Sequence, residues 1–188
     1  VLRHVAQTTH TRLMQAVSGL FPGNLVLDLS SAVIQQSLAE RITARNGVSM
    51  TPTQPRVLGP MMCVPFGKLL RGRVVPNTVT KTLHTDRVFA PDLSSSRIDA
   101  FPGYSDLKSQ IRTLKSFERP VILVDDLLHR PGRLNAILPL LKQEGVQIGA
   151  VMLGILSGLG ADTMASSGLP ISGVYHIPNL RYWFVDST

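Results

Sequence analysis

The chain has 188 residues, of which 44% are hydrophobic and 16% charged, and its net charge is +7. This length fits one domain with at most a small appendage, and this composition excludes a disordered chain. A single cysteine excludes an internal disulfide and a cysteine-rich zinc site. The apolar runs are too short to span a bilayer and no signal-peptide core is visible, so we expect a cytoplasmic protein with no membrane partner.

The positive charge favours anionic partners such as phosphate esters or nucleic acid. The basic residues are scattered, and only 5% of the residues are aromatic. A nucleic-acid-binding domain therefore stays an alternative that rests on net charge alone. The first residue is Val1, so we expect a piece of a longer polypeptide. The expected partners are other domains of that polypeptide or a second copy of the chain.

The first half of the chain predicts one good helix between irregular segments. Residues 1–27 are predicted to form an N-terminal arm or part of a hood, and residues 28–188 the main domain. From Asp28, apolar residues recur at helical spacing until Asn46-Gly47 ends the pattern. Residues 56–58 are predicted as a short strand that leads into a glycine-containing loop, residues 59–68.

Next comes an edge strand around residues 78–80, followed by Lys81. Residues 82–103 show no sustained periodicity, which predicts a long irregular segment with a functional or mobile role. An amphipathic helix then begins after Ser105, its predicted N-cap, with apolar residues at 107, 111, 114 and 117.

The second half alternates apolar runs with helical patterns. Residues 121–124 form a predicted buried strand, followed by Asp125 and Asp126, a loop and a helix from Leu134. A strand over residues 146–156, a glycine loop at 157–160, a helix at 161–167, a strand at 174–177 and an aromatic tail at 182–184 complete the chain. This order predicts an α/β fold with a twisted, mostly parallel sheet flanked by helices.

The stretch from Val121 to Leu134 resembles the phosphoribosyl-pyrophosphate (PRPP) binding motif of type I phosphoribosyltransferases. In that motif four apolar residues precede two acidic residues, two apolar residues, a Thr- and Gly-rich loop and a helix. The resemblance implies a phosphoribosyltransferase-like fold with a small hood. It also implies transfer of ribose 5-phosphate to or from a nitrogenous base, with pyrophosphate as the leaving group.

The resemblance also implies residue roles. Asp125 and Asp126 would be the catalytic pair that holds the ribose hydroxyls and tolerates the positive charge of the transition state. The base would lie near the loop after Leu156, with an aromatic residue of the tail against it, and Mg²⁺ would bind together with the substrate phosphates. The implied contacts of the 5-phosphate are His129, Arg130, Gly132 and Arg133. The pyrophosphate would lie against residues 61–67, and its implied contacts are Gly67, Lys68 and Lys81.

The phosphate loop departs from the family pattern. His129, Arg130, Pro131 and Arg133 stand where small hydroxylated residues and glycines are usual, and Pro131 lacks an amide donor. The arginines would replace backbone amides with side-chain contacts to phosphate. Two hypotheses therefore remain beside the nucleic-acid alternative: a phosphoribosyltransferase, and a non-catalytic ligand-binding or regulatory module of the same fold.

Overall fold

The computed structural model describes residues 2–52 and 54–183, without the side chains of residues 2–4. The chain divides into two compact units, Val1–Ser30 with Tyr182–Thr188, and Ser31–Arg181. In the first unit residues 2–20 form one continuous helix. There, His10 Nε2 lies 3.0 Å from Asp28 Oδ2, and the rings of Phe21 and Tyr182 stack at 4.9 Å.

The second unit is built on a five-stranded parallel sheet and a separate two-stranded hairpin. The helices of the described chain are α1 (Leu2–Leu20), α2 (Ser31–Arg45), α3 (Leu107–Lys115), α4 (Gly132–Gln143), α5 (Gly158–Met164) and a 3-10 turn, Ala165–Ser167. The strands are β1 (Met62–Pro65), β2 (Val79–Thr80), β3 (Thr85–Phe89), β4 (Ser96–Ala100), β5 (Val121–Leu128), β6 (Ile148–Ser157) and β7 (Ile171–Ile177).

The strand order is β2-β1-β5-β6-β7, with every neighbouring pair parallel. Successive side chains of a strand point to opposite faces. In β5, Val121 and Leu123 belong to the core that α3, α4 and α5 share with the sheet. On the other face, a Cβ at Gly154 of β6 would meet Ile34 of α2. Helices therefore cover both faces, which confirms the predicted α/β fold.

Three local predictions in the first half are wrong. Residues 82–103 are not irregular, because β3 and β4 form an antiparallel hairpin. Most hairpin side chains are exposed or half-buried, so the sequence lacks the alternation that marks a strand. Residues 56–58 form no strand, and the strand begins later, at Met62, inside the predicted loop. Every residue of β1 is buried, so its short apolar run has no alternation either.

Two further corrections concern the ends of helices. The side chain of Asp106, not Ser105, caps α3 by accepting from the amide of Ser109. Either residue type can cap a helix, so composition alone could not choose between them. β6 runs directly into α5 at Ser157, so the predicted glycine loop at 157–160 is the first turn of a helix.

Asn46 ties the end of α2 to the amino ends of the sheet. Its side chain accepts from the Met61 amide at 2.8 Å and donates to the Met61 carbonyl at 2.9 Å and to Thr78 Oγ1 at 3.2 Å. Asn46 is buried, and a Cβ on Gly59 would collide with its amide group. One side chain thus ties the residue after α2 to the residues that precede β1 and β2.

We expect Asn46→Ala to destabilise the protein by about 2–3 kcal/mol, because it removes the acceptor of the half-buried Met61 amide and empties a buried position. Chemical denaturation of the variant and the parent would measure this loss. Gln36→Ala, at an exposed position of α2, is the matched control and should change the free energy of unfolding by less than about 0.5 kcal/mol. Equal effects of the two substitutions would contradict the bridging role.

Candidate functional site

The acidic pair lies inside a strand rather than after one. Asp125 pairs with Leu153 of β6, and β5 continues for three residues beyond Asp125 before it ends at Leu128. The predicted loop of residues 125–133 is therefore reduced to residues 129–131. The sequence does not reveal this because two consecutive aspartates are unusual inside a strand, whereas the long β6 offers backbone partners along the whole of β5.

Because adjacent residues of a strand face opposite ways, the two carboxylates have different partners. Asp125 lies toward the α4 side, where its Oδ1 is 2.6 Å from Nη1 of Arg133. The same oxygen accepts from the Asp126 amide at 2.8 Å. Asp125 is buried and the Arg133 side chain is 28% exposed, so this ion pair sits at the rim of the core.

Asp126 organises the turn that follows β1. Its two carboxylate oxygens accept from the amide of Lys68 at 2.8 Å, and Oδ1 also accepts from the amide of Leu69 at 2.7 Å. Bonds from backbone amides to a charged acceptor are among the stronger hydrogen bonds in proteins. Asp126 thus fixes the loop at the carboxyl end of β1 to β5.

Gly67 is the point where this turn meets both acids. The residue is buried, and a Cβ built on it would collide with a carboxylate oxygen of Asp125 and with one of Asp126. Only glycine allows the backbone to approach so closely. The structure therefore brings together five residues of the predicted site: Gly67, Lys68, Asp125, Asp126 and Arg133.

The buried position of Asp125 changes its acidity. Burial raises the pKa of Asp125 to about 6, against the opposing effect of the Arg133 charge, and the neighbouring Asp126 adds to the rise. A carboxyl group with this pKa is ionised at neutral pH and becomes protonated within the mildly acidic range. Asp125 is then a hydrogen-bond acceptor whose capacity depends on pH.

A pKa above that of the unfolded chain means that ionising Asp125 costs stability. The native state binds more protons than the unfolded state between about pH 4 and 6, so this group lowers the free energy of unfolding as pH rises through that window. A shift of this size corresponds to about 3 kcal/mol. We expect the difference in stability between the parent and Asp125→Asn to change by that order between these pH values, measured by urea denaturation. A difference that is constant with pH would contradict the raised pKa.

The remaining residues of the predicted phosphate loop have other surroundings. The ring of His129 is half-buried, and its Nδ1 lies 3.0 Å from Oγ of Ser157, the N-cap of α5. Arg130 is exposed, and a Cβ added to Gly132, the first residue of α4, would meet no atom within 4 Å. Pro131 occupies the N-cap of α4 without a side-chain cap. Arg133 is the residue of this loop that pairs with Asp125.

Lys81 lies on the same edge of the sheet, two strands from β5. It follows β2 and is exposed, and its amide donates to the Cys63 carbonyl at 3.0 Å. Cys63 is fully buried, and burial raises the pKa of its thiol to about 12. The cysteine is therefore a packing residue, as its apolar neighbours predict.

A basic and aromatic cluster near Lys81 was not predicted from the sequence. The rings of His84 and Tyr104 stack at 3.6 Å, and the Arg71 guanidinium lies 5.6 Å from the centre of the Phe101 ring. Burial, and then the charges of Arg71 and Lys81, lower the pKa of His84. No local signal joins these residues, because the hairpin that brings Phe101 and Tyr104 back toward His84 was itself not predicted.

Two other predictions concern the binding of a metal ion and of the nitrogenous base. Among residues 2–52 and 54–183, no three His, Cys, Asp or Glu side chains come together as a metal site. The loop expected to hold a base after Leu156 is replaced by α5. Of the aromatic tail, Tyr182 stacks on Phe21, and residue 184 lies outside the described part of the chain.

No helix of the described residues is long and apolar enough to cross a membrane.

Comparisons with known proteins give structural matches only. A scan against protein-family models finds no match, and a search of curated proteins finds none. A purine phosphoribosyltransferase from Pyrococcus horikoshii Ot3 aligns over 83% of this chain and 93% of its own, with 13% identity and a TM-score of 0.44. An adenine phosphoribosyltransferase from Thermoanaerobacter pseudethanolicus aligns over 78% of this chain and 79% of its own, with 13% identity and a TM-score of 0.40.

Proposed function

We propose that the protein binds a phosphorylated ribose compound, PRPP or a nucleotide, at the carboxyl edge of the parallel sheet. The observation that carries this proposal is the convergence of the Gly67 turn, the Asp125–Asp126 pair and Arg133 at one place. Acceptors for hydroxyl groups and a donor for phosphate thus lie side by side. In open α/β sheets ligands bind at this edge, outside the carboxyl ends of the strands.

Each part of the ligand has a chemical counterpart in this proposal. Ribose hydroxyls would donate to Asp125, and a 5-phosphate would accept from Arg133 and from the uncapped amides at the start of α4. Lys68 and Lys81 would face a pyrophosphate group. Mg²⁺ would enter with the ligand, held mainly by phosphate oxygens and water, since three of the four carboxylate oxygens already bind Arg133 or backbone amides.

Transfer chemistry would use the same carboxylates. Cleavage of the anomeric C–O bond places positive charge on the sugar, and a nearby carboxylate stabilises that charge more in the transition state than in the ground state. A second candidate function, a non-catalytic ligand-binding or regulatory module, is favoured by one observation. The Asp125–Arg133 ion pair engages Oδ1 of the carboxylate that would hold the ribose, so a hydroxyl that uses this oxygen must first displace Arg133.

The test of the proposal is the shift in melting temperature on adding PRPP and Mg²⁺. A ligand at a hundred times its dissociation constant stabilises the folded state by about 2.7 kcal/mol. We expect a shift of several degrees in the parent, with a smaller one in Asp125→Asn. Inorganic pyrophosphate and Mg²⁺ alone are the controls. No shift with PRPP, ribose 5-phosphate or a nucleotide would contradict the proposal.

Pyrophosphate release then separates the two candidate functions. Release from PRPP in the presence of purine and pyrimidine bases would identify a transferase, and binding without release would identify the non-catalytic module. Retention on nucleic acid with a steep dependence on salt, in a protein that does not respond to PRPP, would instead favour the nucleic-acid alternative.

A further inference from the structure

The ion pair between Asp125 and Arg133 brings together two groups that the proposed ligand would need separately. Asp125 Oδ1 is one of the two carboxylate oxygens next to Gly67 and is also the partner of Arg133 Nη1, at 2.6 Å. A ribose hydroxyl and a phosphate would each compete for one member of this pair. The binding of the two parts of the ligand is therefore linked through the pair.

The surroundings of Arg133 favour an anion. Arg133 is in the first turn of α4, where the helix dipole is positive and a cation is unfavourable. The N-cap, Pro131, contributes no side-chain acceptor, and the described first turn contains no acidic residue. Asp125, from the neighbouring strand, supplies the negative charge that this position lacks. A phosphate could take over that role, because phosphate and carboxylate groups both form paired hydrogen bonds with a guanidinium.

We propose that Arg133 makes ribose recognition depend on phosphate: without phosphate it holds Asp125, and with phosphate it turns to the ligand and leaves the carboxylate for a ribose hydroxyl. This inference rests on the proposed function and extends it to specificity. It assigns Arg133 as the residue that selects 5-phosphorylated ribose over free ribose and nucleosides.

The physical reason for this selectivity is the free-energy cost of leaving the Arg133 charge without an anionic partner. A hydroxyl of free ribose that takes Asp125 Oδ1 displaces Arg133 and leaves it without an anionic partner, whereas ribose 5-phosphate supplies the replacement. Removing one member of a partly buried charge pair is costly, so free ribose binds weakly. By linkage, phosphate strengthens ribose binding by the same factor as ribose strengthens phosphate binding. We expect this factor to be about tenfold, within the usual range of coupling between sites.

The experiment measures the affinity for ribose by NMR titration, with and without inorganic phosphate at constant ionic strength. Working at about pH 8 keeps Asp125 ionised. In the parent we expect phosphate to tighten ribose binding about tenfold. In Arg133→Met, ribose alone should bind more tightly than to the parent and phosphate should have no effect on it. Arg133→Lys should keep part of the coupling, because a lysine pairs with both groups but with fewer donors.

Lys142→Met is the matched control, since it removes one positive charge from the exposed last turn of the same helix. It should behave as the parent does. The inference is overturned if phosphate and ribose bind to the parent independently, or if Arg133→Met leaves ribose affinity unchanged or weaker. The coupling in the parent needs no variant, so a failure of Arg133→Met to fold leaves the test intact.

These outcomes also separate the inference from the proposed function. If ribose 5-phosphate binds and the coupling is absent, only the role of Arg133 is wrong. If neither ribose nor ribose 5-phosphate binds to the parent, the proposed function fails together with the inference.

Discussion

Replacing Gly67 with alanine is expected to disrupt the candidate site and to cost about 3 kcal/mol of stability, the upper part of the range for overpacked buried positions. The new Cβ would overlap a carboxylate oxygen of Asp125 and one of Asp126. Neither carboxylate can move freely, since Arg133 holds the first and the amides of Lys68 and Leu69 hold the second. We therefore expect the loss of ligand binding together with lower stability.

Thermal denaturation and calorimetric titration with ribose 5-phosphate would measure the two effects of Gly67→Ala. Gly132→Ala is the matched control for stability, because a Cβ there meets no atom and the residue lies in the first turn of α4. We expect that control to be neutral or slightly stabilising, by less than about 1 kcal/mol. If Gly67→Ala were as stable as its parent, the close approach of the turn to the acid pair would be wrong.

Asp126→Ala is expected to cost about 2–3 kcal/mol, because the amides of Lys68 and Leu69 lose a charged acceptor. The main consequence is local, since the turn after β1 loses its attachment to β5. We expect faster hydrogen exchange at these two amides than in the parent, while the amides within β6 keep their protection. Binding of ribose 5-phosphate should weaken even though Asp125 and Arg133 are unchanged.

Asp126→Asn separates the charge from the geometry of this contact. An asparagine oxygen can still accept from one of the two amides, so we expect a loss about half that of Asp126→Ala. If both variants left the exchange of the Lys68 and Leu69 amides unchanged, Asp126 would not organise the turn, and its main role would lie with the ligand.

The sequence predicts the central strands and helices of this protein better than the geometry of its candidate site. The apolar runs at residues 121–124 and 146–156 mark the two central strands, and the helical spacing after Asp28 and Leu134 marks α2 and α4. These patterns are visible in the sequence because burial on both faces of the sheet requires apolar residues along a whole strand or helix face. The parallel sheet follows from their alternation, and the structure confirms it.

The site depends on geometry that composition does not encode. Two aspartates after four apolar residues suggested a loop with both carboxylates on one ligand, whereas β6 extends β5 past them and each carboxylate has its own protein partners. The partner of Asp125 is eight residues away, in the next helix, and the partners of Asp126 lie 57 and 58 residues away. Contacts of this kind follow from strand register, which a single sequence does not show.

The hairpin formed by β3 and β4 is the other limit of sequence reasoning. Its exposed strands carry polar residues on both faces, so no period-2 pattern distinguishes them from a loop. With the hairpin unrecognised, the cluster of Arg71, His84, Phe101 and Tyr104 could not be assembled. Of the residues in this region, Lys81 was implied as a site residue by the family resemblance.

The most direct test of the account is a crystal structure of the protein with ribose 5-phosphate. We expect the ribose hydroxyls within hydrogen-bond distance of Asp125, the phosphate beside Arg133 and the first turn of α4, and Asp126 still bound to the amides of Lys68 and Leu69. Ribose 5-phosphate bound elsewhere, or an Asp125–Arg133 pair that stays closed beside the bound ligand, would contradict it.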